Sequence, residues 1–322
     1  MLPSRDRLTI CFAHVAYQLQ DHFARRRSGL KSVEARSREA LEAALPDADV
    51  LVVSGLWHNA LLDRAPKLRF IQSIGAGVDQ FPQDRLKERG IRLASARGVN
   101  ERAVAEHALA LILALARRLP EARDNQKKHF WRQMISAVDQ REDELAGKTL
   151  LIIGIGGIGG RLARLAKALD MRVVGIRRDA GAGANGADVV HTLADLDRLL
   201  PEADIVALTC PLTPETAGVI GTRALASMKK TAVLINVARG RCVDEAALVS
   251  ALTERRIAAA GLDCFAEEPL ASASPLWDFE NVLITPHTAG ETQRYEENVL
   301  DVMLENLDRL WRGEVMLKNQ VV

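Results

Sequence analysis

The stretch "LLIIGIGGIGGRLARLAKAL" (150–169) carries Gly154, Gly156 and Gly159 in a G-x-G-x-x-G spacing, between an apolar run and an amphipathic one. That pattern suits the phosphates of a dinucleotide. Gly154 permits a tight turn, Gly156 lets the backbone approach a pyrophosphate, and Gly159 lets a helix pack closely on the preceding strand. Gly157 and Ile158 then stand at the helix start, whose unpaired N–H groups face the anion. The next apolar run, "MRVVGIR", ends in Arg177 and Arg178. An NAD-type site carries an acid at that strand end, roughly 20 residues beyond the turn, to hold the adenosine ribose. A carboxylate there would repel a 2′-phosphate, whereas guanidinium groups pair with one through charge-assisted hydrogen bonds. Asp179 is the nearest acid, and it lies past the strand end. The arginines favour NADP(H) over NAD(H); two solvated arginines in a surface loop are the alternative.

A parallel sheet must hold such a turn. Apolar runs at 8–15, 49–55, 68–75 and 91–96 read as short strands, with helix-like segments such as "SREALEAALP" and "PQDRLKERG" between them. A second series, "KTLLIIG", "MRVVGIR", "ADIVALTC", "TAVLINVA", "IAAAGLDC" and "NVLITPH", is nearly continuous in apolar residues, as strands covered on both faces are. Between the two series, "NERAVAEHALALILALARRL" (100–119) reads as one long buried helix, with Asn100 as N-cap and Pro120 as its stop. The polar stretch 121–147 follows it, and a final amphipathic helix ends at Gly313.

The chain has 322 residues, 48% of them hydrophobic and 26% charged, enough for two globular domains. Lys+Arg 43 against Asp+Glu 42 leaves a net charge of +1, which argues against nucleic acid and anionic membranes as partners. The basic run "ARRRSG" at 24–29 reads as a solvated helix end. Neither a membrane span nor a signal-peptide core is visible. Cys11, Cys210, Cys242 and Cys264 form no CxxC pair, so no metal site is expected; reduced, buried thiols of a cytoplasmic protein are the simplest account.

Five motifs taken together say more: "IGAGVD" (74–79), "VAEHALALILAL" (104–115), "INVARGRCVDEAALVSAL" (235–252), "AGLDCFAEEPL" (260–270) and "LITPHTAG" (283–290). With these, in this order, the chain resembles the D-isomer-specific 2-hydroxyacid dehydrogenases, in particular those like glyoxylate and hydroxypyruvate reductases. The resemblance runs from about residue 45 to the end. It implies an α/β protein of two domains, each a parallel sheet flanked by helices. A central Rossmann-type cofactor domain (99–289) would be flanked by a flavodoxin-like substrate domain built from both chain ends (1–98 and 290–322). It also implies a homodimer joined through the cofactor domain.

The resemblance carries over residue by residue. It makes Arg239, Glu268 and His287 the catalytic set, with Glu267 as the alternative acid. The chemistry agrees. Reducing a 2-oxo acid needs a cation for the carboxylate and a proton donor for the carbonyl oxygen as hydride arrives. Arg239 suits the first role, and His287 the second if Glu268 beside it favours the imidazolium. Ala76 and Gly77 match backbone groups that bind the substrate carboxylate, and Trp57 either shapes the pocket or simply packs. Along the cofactor, the matching positions are Val104, Cys210, Pro211, Thr216, Val237, Ala238, Asp263, His287, Ala289 and Gly290; Asp263 is the one near the nicotinamide carboxamide. Cys210 itself reads as an inert wall. Trp131 matches a tryptophan that in some relatives reaches the partner subunit, and a loop anchor is the other reading. The expected activity is NADPH-dependent reduction of a small 2-oxo acid. The alternatives are an NAD-linked dehydrogenase, for instance of 3-phosphoglycerate, and a dinucleotide-sensing corepressor. The stop at residue 322 leaves no room for the regulatory domain many phosphoglycerate dehydrogenases carry, and no added partner-binding segment is seen.

Overall fold

Strands buried on both faces need apolar residues at every position, and the strongest apolar runs become the inner strands of two sheets. The computed structural model describes residues 2–322. They divide into two units, one from the stretch up to Asn100 together with Thr292–Val322, the other Glu101–Glu291.

In the first unit, β1 (Thr9–Ala13), β2 (Lys31–Ala35), β3 (Val50–Val53), β4 (Phe70–Ser73) and β5 (Arg92–Ala94) form a parallel sheet in the order β2-β1-β3-β4-β5. This is the flavodoxin-like order. Helices α1 (Leu19–Arg25), α2 (Arg38–Ala44) and α3 (Gln83–Glu88) connect the strands. Ser37 caps α2, its side chain accepting from the Ala40 N–H. The C-terminal helix Tyr295–Trp311 seats Val299, Leu300, Met303 and Leu307 in one core with Phe12, Leu19 and Phe23. Beyond it, the Val321 N–H donates to the Leu93 carbonyl at 2.8 Å, so both chain ends build this unit. The basic run at 24–29 is more than a solvated helix end, because Arg26 pairs with both Glu297 and Asp301 of that helix.

The second unit opens with α4 (Glu101–Ala116) and α5 (Leu119–Lys127). Its strands are β6 (Thr149–Ile153), β7 (Arg172–Ile176), β8 (Val189–His191), β9 (Ile205–Leu208), β10 (Val233–Asn236), β11 (Ala259–Leu262) and β12 (Val282–Ile284). They pair in parallel in the order β12-β11-β10-β9-β6-β7-β8, a doubly wound sheet whose order reverses beside β6. Helices α6 (Gly157–Lys167), α7 (Leu196–Leu199), α8 (Thr222–Ser227) and α9 (Glu245–Thr253) make the crossovers.

Three departures from the sequence reading have physical causes. β2 was not expected, because "KSVEA" lies at a sheet edge and is half exposed, so it lacks the apolar run of an inner strand. β8 is an edge strand of three residues, too short to show a pattern. The single helix predicted over 100–119 is two helices: Arg118 takes a left-handed φ of 51°, and Pro120 sits in the first turn of α5 rather than ending α4. No helix among the described residues is long and apolar enough to cross a membrane.

Candidate active site

β6 delivers the chain into the glycine turn. Gly154 has φ 103°, and a Cβ there would lie 2.5 Å from the Cys210 backbone, so only glycine fits. A Cβ on Gly159 would lie 2.6 Å from the Gly154 carbonyl oxygen, which is the close helix–strand approach anticipated from the motif. A Cβ on Gly156, by contrast, would meet nothing within 4 Å. The amino end of α6 is therefore open at the point where a pyrophosphate would rest, and the residues fit a dinucleotide. Ile158 follows in the first turn of α6. Gly157 is tighter, since a Cβ there would lie 1.9 Å from Glu101 Oε1.

Arg177 and Arg178 follow β7 directly. Arg177 Nη1 donates to the carbonyls of Ala182 and Gly183, each at 3.1 Å, which leaves its remaining N–H groups for other partners. Arg178 is exposed. The Asp179 carboxylate accepts from the Gly181 N–H at 2.9 Å and so caps the turn that follows. The one acid near the strand end thus has a local task.

The Arg239, Glu268 and His287 motifs follow β10, β11 and β12. Buried Asn236 shapes the first turn: its Nδ2 donates to the Arg239 carbonyl and its Oδ1 accepts from the Ala238 N–H, both at 3.1 Å. Val237 and Ala238 are buried beneath it, while Arg239 is exposed, with Nη1 donating to the Ala238 carbonyl at 2.7 Å. A Cβ on Gly240 would lie 1.8 Å from the Phe265 carbonyl carbon, so the arginine turn rests directly on the Phe265–Ala266 backbone. Glu268 belongs to that same segment. Its Oε1 accepts from the Phe265 N–H at 2.9 Å, and its Oε2 accepts from His287 Nδ1 at 2.7 Å. Glu268, not Glu267, is the acid in contact with the histidine. Because Nδ1–H is given to a carboxylate, Nε2 is the nitrogen left to meet another molecule.

The His287 loop has a second anchor. Asp263, 2% exposed, accepts from the Thr285 hydroxyl at 2.6 Å and from the N–H groups of Thr288 and Ala289 at 3.0 Å each. His107 of α4 approaches Thr285 Oγ1 with its Nε2 at 2.9 Å. The sequence reading singled out Asp263 but passed over His107 and Thr285. The available signal was one histidine within a mostly apolar helix.

Val104 is buried on α4 in the same core as Ile155 and Ala289, and Gly290 lies half-buried just beyond. Cys210 is buried; hydrogen bonding with Cys242, and then burial, drive its thiol far above the usual thiol range, which suits an inert wall. Pro211 is exposed, and the Thr216 hydroxyl donates to its carbonyl at 2.7 Å, closing that loop on itself. In the first unit, Ala76 and Gly77 lie in the bend after β4. Trp57 is buried there, its ring 5.2 Å from that of Phe81 and its Nε1 donating to Asn59.

A doubly wound sheet with a glycine turn at its switch point defines a dinucleotide-binding protein. Residues 109–289 match the family model "D-isomer specific 2-hydroxyacid dehydrogenase, NAD binding domain". The chain is 35% identical over 284 residues to a glyoxylate reductase of Korarchaeum cryptofilum, covering 87% of this chain and 84% of that protein. It is 36% identical over 282 residues to a D-3-phosphoglycerate dehydrogenase of Methanocaldococcus jannaschii, covering 87% of this chain but only 53% of that one. The chain therefore spans about half the length of the phosphoglycerate dehydrogenases it matches. The crystal structure of a D-isomer specific 2-hydroxyacid dehydrogenase family protein from Aeromonas salmonicida superposes with a TM-score of 0.86 at 30% identity, over 98% of this chain and 99% of that one. The protein belongs to the D-isomer-specific 2-hydroxyacid dehydrogenase family.

Proposed function

We propose that this protein reduces a small 2-oxo acid, such as glyoxylate or hydroxypyruvate, to the D-2-hydroxy acid with NADPH. The observation that carries this is the Glu268–His287 pair, at 2.7 Å, with the segment leading to Glu268 packed against the turn that bears exposed Arg239. All three follow the carboxyl ends of adjacent parallel strands, the edge where doubly wound sheets present ligands. Bound NAD(P)H supplies the hydride. Arg239 clamps the substrate carboxylate and draws charge from the carbonyl, and His287 Nε2 delivers the proton to the carbonyl oxygen. Glu268 holds the ring through Nδ1, leaving Nε2 turned to the substrate. The test is oxidation of NADPH and of NADH against a panel of 2-oxo acids. A second reading, NAD-linked oxidation of a 3-phosphoglycerate-type substrate, is favoured by the likeness to phosphoglycerate dehydrogenases and is separated by the same panel run in the oxidative direction.

The role of Glu268 has its own test. Its carboxylate fixes the ring of His287 through Nδ1, so Glu268→Gln should lower kcat by about ten-fold or more while NADPH binds as to wild type. An unchanged kcat would take the orienting role away from Glu268.

A second copy of the chain is the proposed partner, docked on the segment around α5. Trp131 is 88% exposed and Met134 99%, beside exposed Phe130, apolar area that a lone chain would leave in water. Wild type should sediment at twice the chain mass, and Trp131→Asp with Met134→Asp should shift it toward the monomer. A wild type that sediments as a monomer would end this part of the account.

A further inference from the structure

We propose that His107 is a positioning residue, one that holds the His287 loop in its working conformation by acting through Thr285 and Asp263. The proposal rests on the reading of His287 as the proton donor.

His287 has φ 56°, a left-handed conformation costly for a residue with a Cβ and kept only where the surroundings impose it. The contacts that impose it are few. The His287 N–H donates to the Thr285 carbonyl at 3.0 Å, and the next two N–H groups, of Thr288 and Ala289, are both taken by Asp263. Thr285 thus opens the loop and Asp263 closes it, and the 2.6 Å hydrogen bond between their side chains joins the two.

A hydroxyl has one proton. Thr285 spends its proton on Asp263, so its oxygen can only accept from His107, and the His107 ring must carry hydrogen on Nε2. That tautomer also turns its N–H toward Asp263 Oδ1, 3.6 Å away. His107 is on α4, whose Val104, Ala108, Leu111 and Ile112 are buried in the sheet's core. The ring therefore ties a loop held in an unfavourable conformation to a helix whose inner face is buried in the core. Among the described residues its hydrogen-bond and ion-pair partners are Thr285 and Asp263, not His287 or Arg239, so its effect on the reaction passes through the backbone of the loop.

Removing the donor should loosen the loop without dismantling the fold. In His107→Leu, amide hydrogen exchange at Thr288 and Ala289 should quicken by about ten-fold, and kcat should fall by about ten-fold, the loss expected for one hydrogen bond to a network of this kind. The deuterium isotope effect on kcat should rise as the chemical step becomes slower relative to the others, which a smaller folded fraction would not produce. His107→Gln returns an N–H donor at similar reach and should recover most of both losses. Thr285→Val removes this bond together with the Thr285–Asp263 one, so exchange and kcat should change at least as much as in His107→Leu, and wild-type exchange in this variant would overturn the proposal even if His107→Leu does not fold. Unchanged exchange at Thr288 and Ala289, or no recovery in His107→Gln, would overturn the proposal. A wild type that reduces no 2-oxo acid would defeat the functional reading instead, and the exchange rates would still decide the positioning.

Discussion

Arg239→Lys should lower kcat by about a hundred-fold and raise KM for the 2-oxo acid, while NADPH binds almost as well as to wild type. Lysine keeps the positive charge but loses the planar fork that grips a carboxylate at two points. The substrate can then tilt from the hydride donor, and a misplacement of about 1 Å costs on the order of a hundred-fold in rate. The structure explains why the effect should be local. Arg239 stands on a turn shaped by Asn236 and seated on Phe265, whereas the glycine turn is at the end of β6, two strands away from β10 across β9. NADPH affinity by fluorescence titration, set beside kcat/KM with hydroxypyruvate, separates the two effects. Weakened NADPH binding with normal turnover at saturating cofactor would make Arg239 a cofactor ligand.

The second large effect concerns the cofactor. Arg177→Asp should weaken NADPH by ten- to a hundred-fold, the loss of roughly 1.5–3 kcal/mol for one charge-assisted phosphate contact, and should improve NADH relative to it. Arg177 also donates to Ala182 and Gly183, so this variant loses two hydrogen bonds of the turn after β7 as well. Arg178→Ala resolves that, since Arg178 is exposed and its loss leaves those two hydrogen bonds in place. A phosphate-binding pair loses NADPH selectively in both variants. Equal losses for NADPH and NADH would assign Arg177 to the turn alone, and a wild type that prefers NADH would remove the premise.

The elements legible in the sequence were those whose surroundings are uniform. β6, β9 and β10 lie inside a sheet with both faces covered, and their apolar runs announce them. β2 and β8 sit at edges, where half the positions meet water and the run breaks up. The division of the predicted long helix was hidden because a proline marks a helix start as readily as a stop, and only the backbone at Arg118 shows which applies. The same logic governs the site. Gly154 and Gly159 were readable because their roles are local, a turn and a close approach within one strand–helix unit. The Asp263–Thr285–His107 network was not. Its members come from two strand ends and a helix far apart in the chain, and nothing in residues 104–115 indicates which side chain their histidine will meet.

The central claim is that His287, held by Glu268, protonates a 2-oxo acid as hydride arrives. Its most direct measurement is the initial rate of NADPH oxidation with glyoxylate or hydroxypyruvate, for wild type and His287→Gln side by side at saturating cofactor. The account predicts steady turnover by wild type and a loss of at least a hundred-fold in kcat for the variant, the contribution typical of a positioned general acid, with NADPH binding retained. A His287→Gln enzyme that turns over within a few-fold of wild type would contradict it.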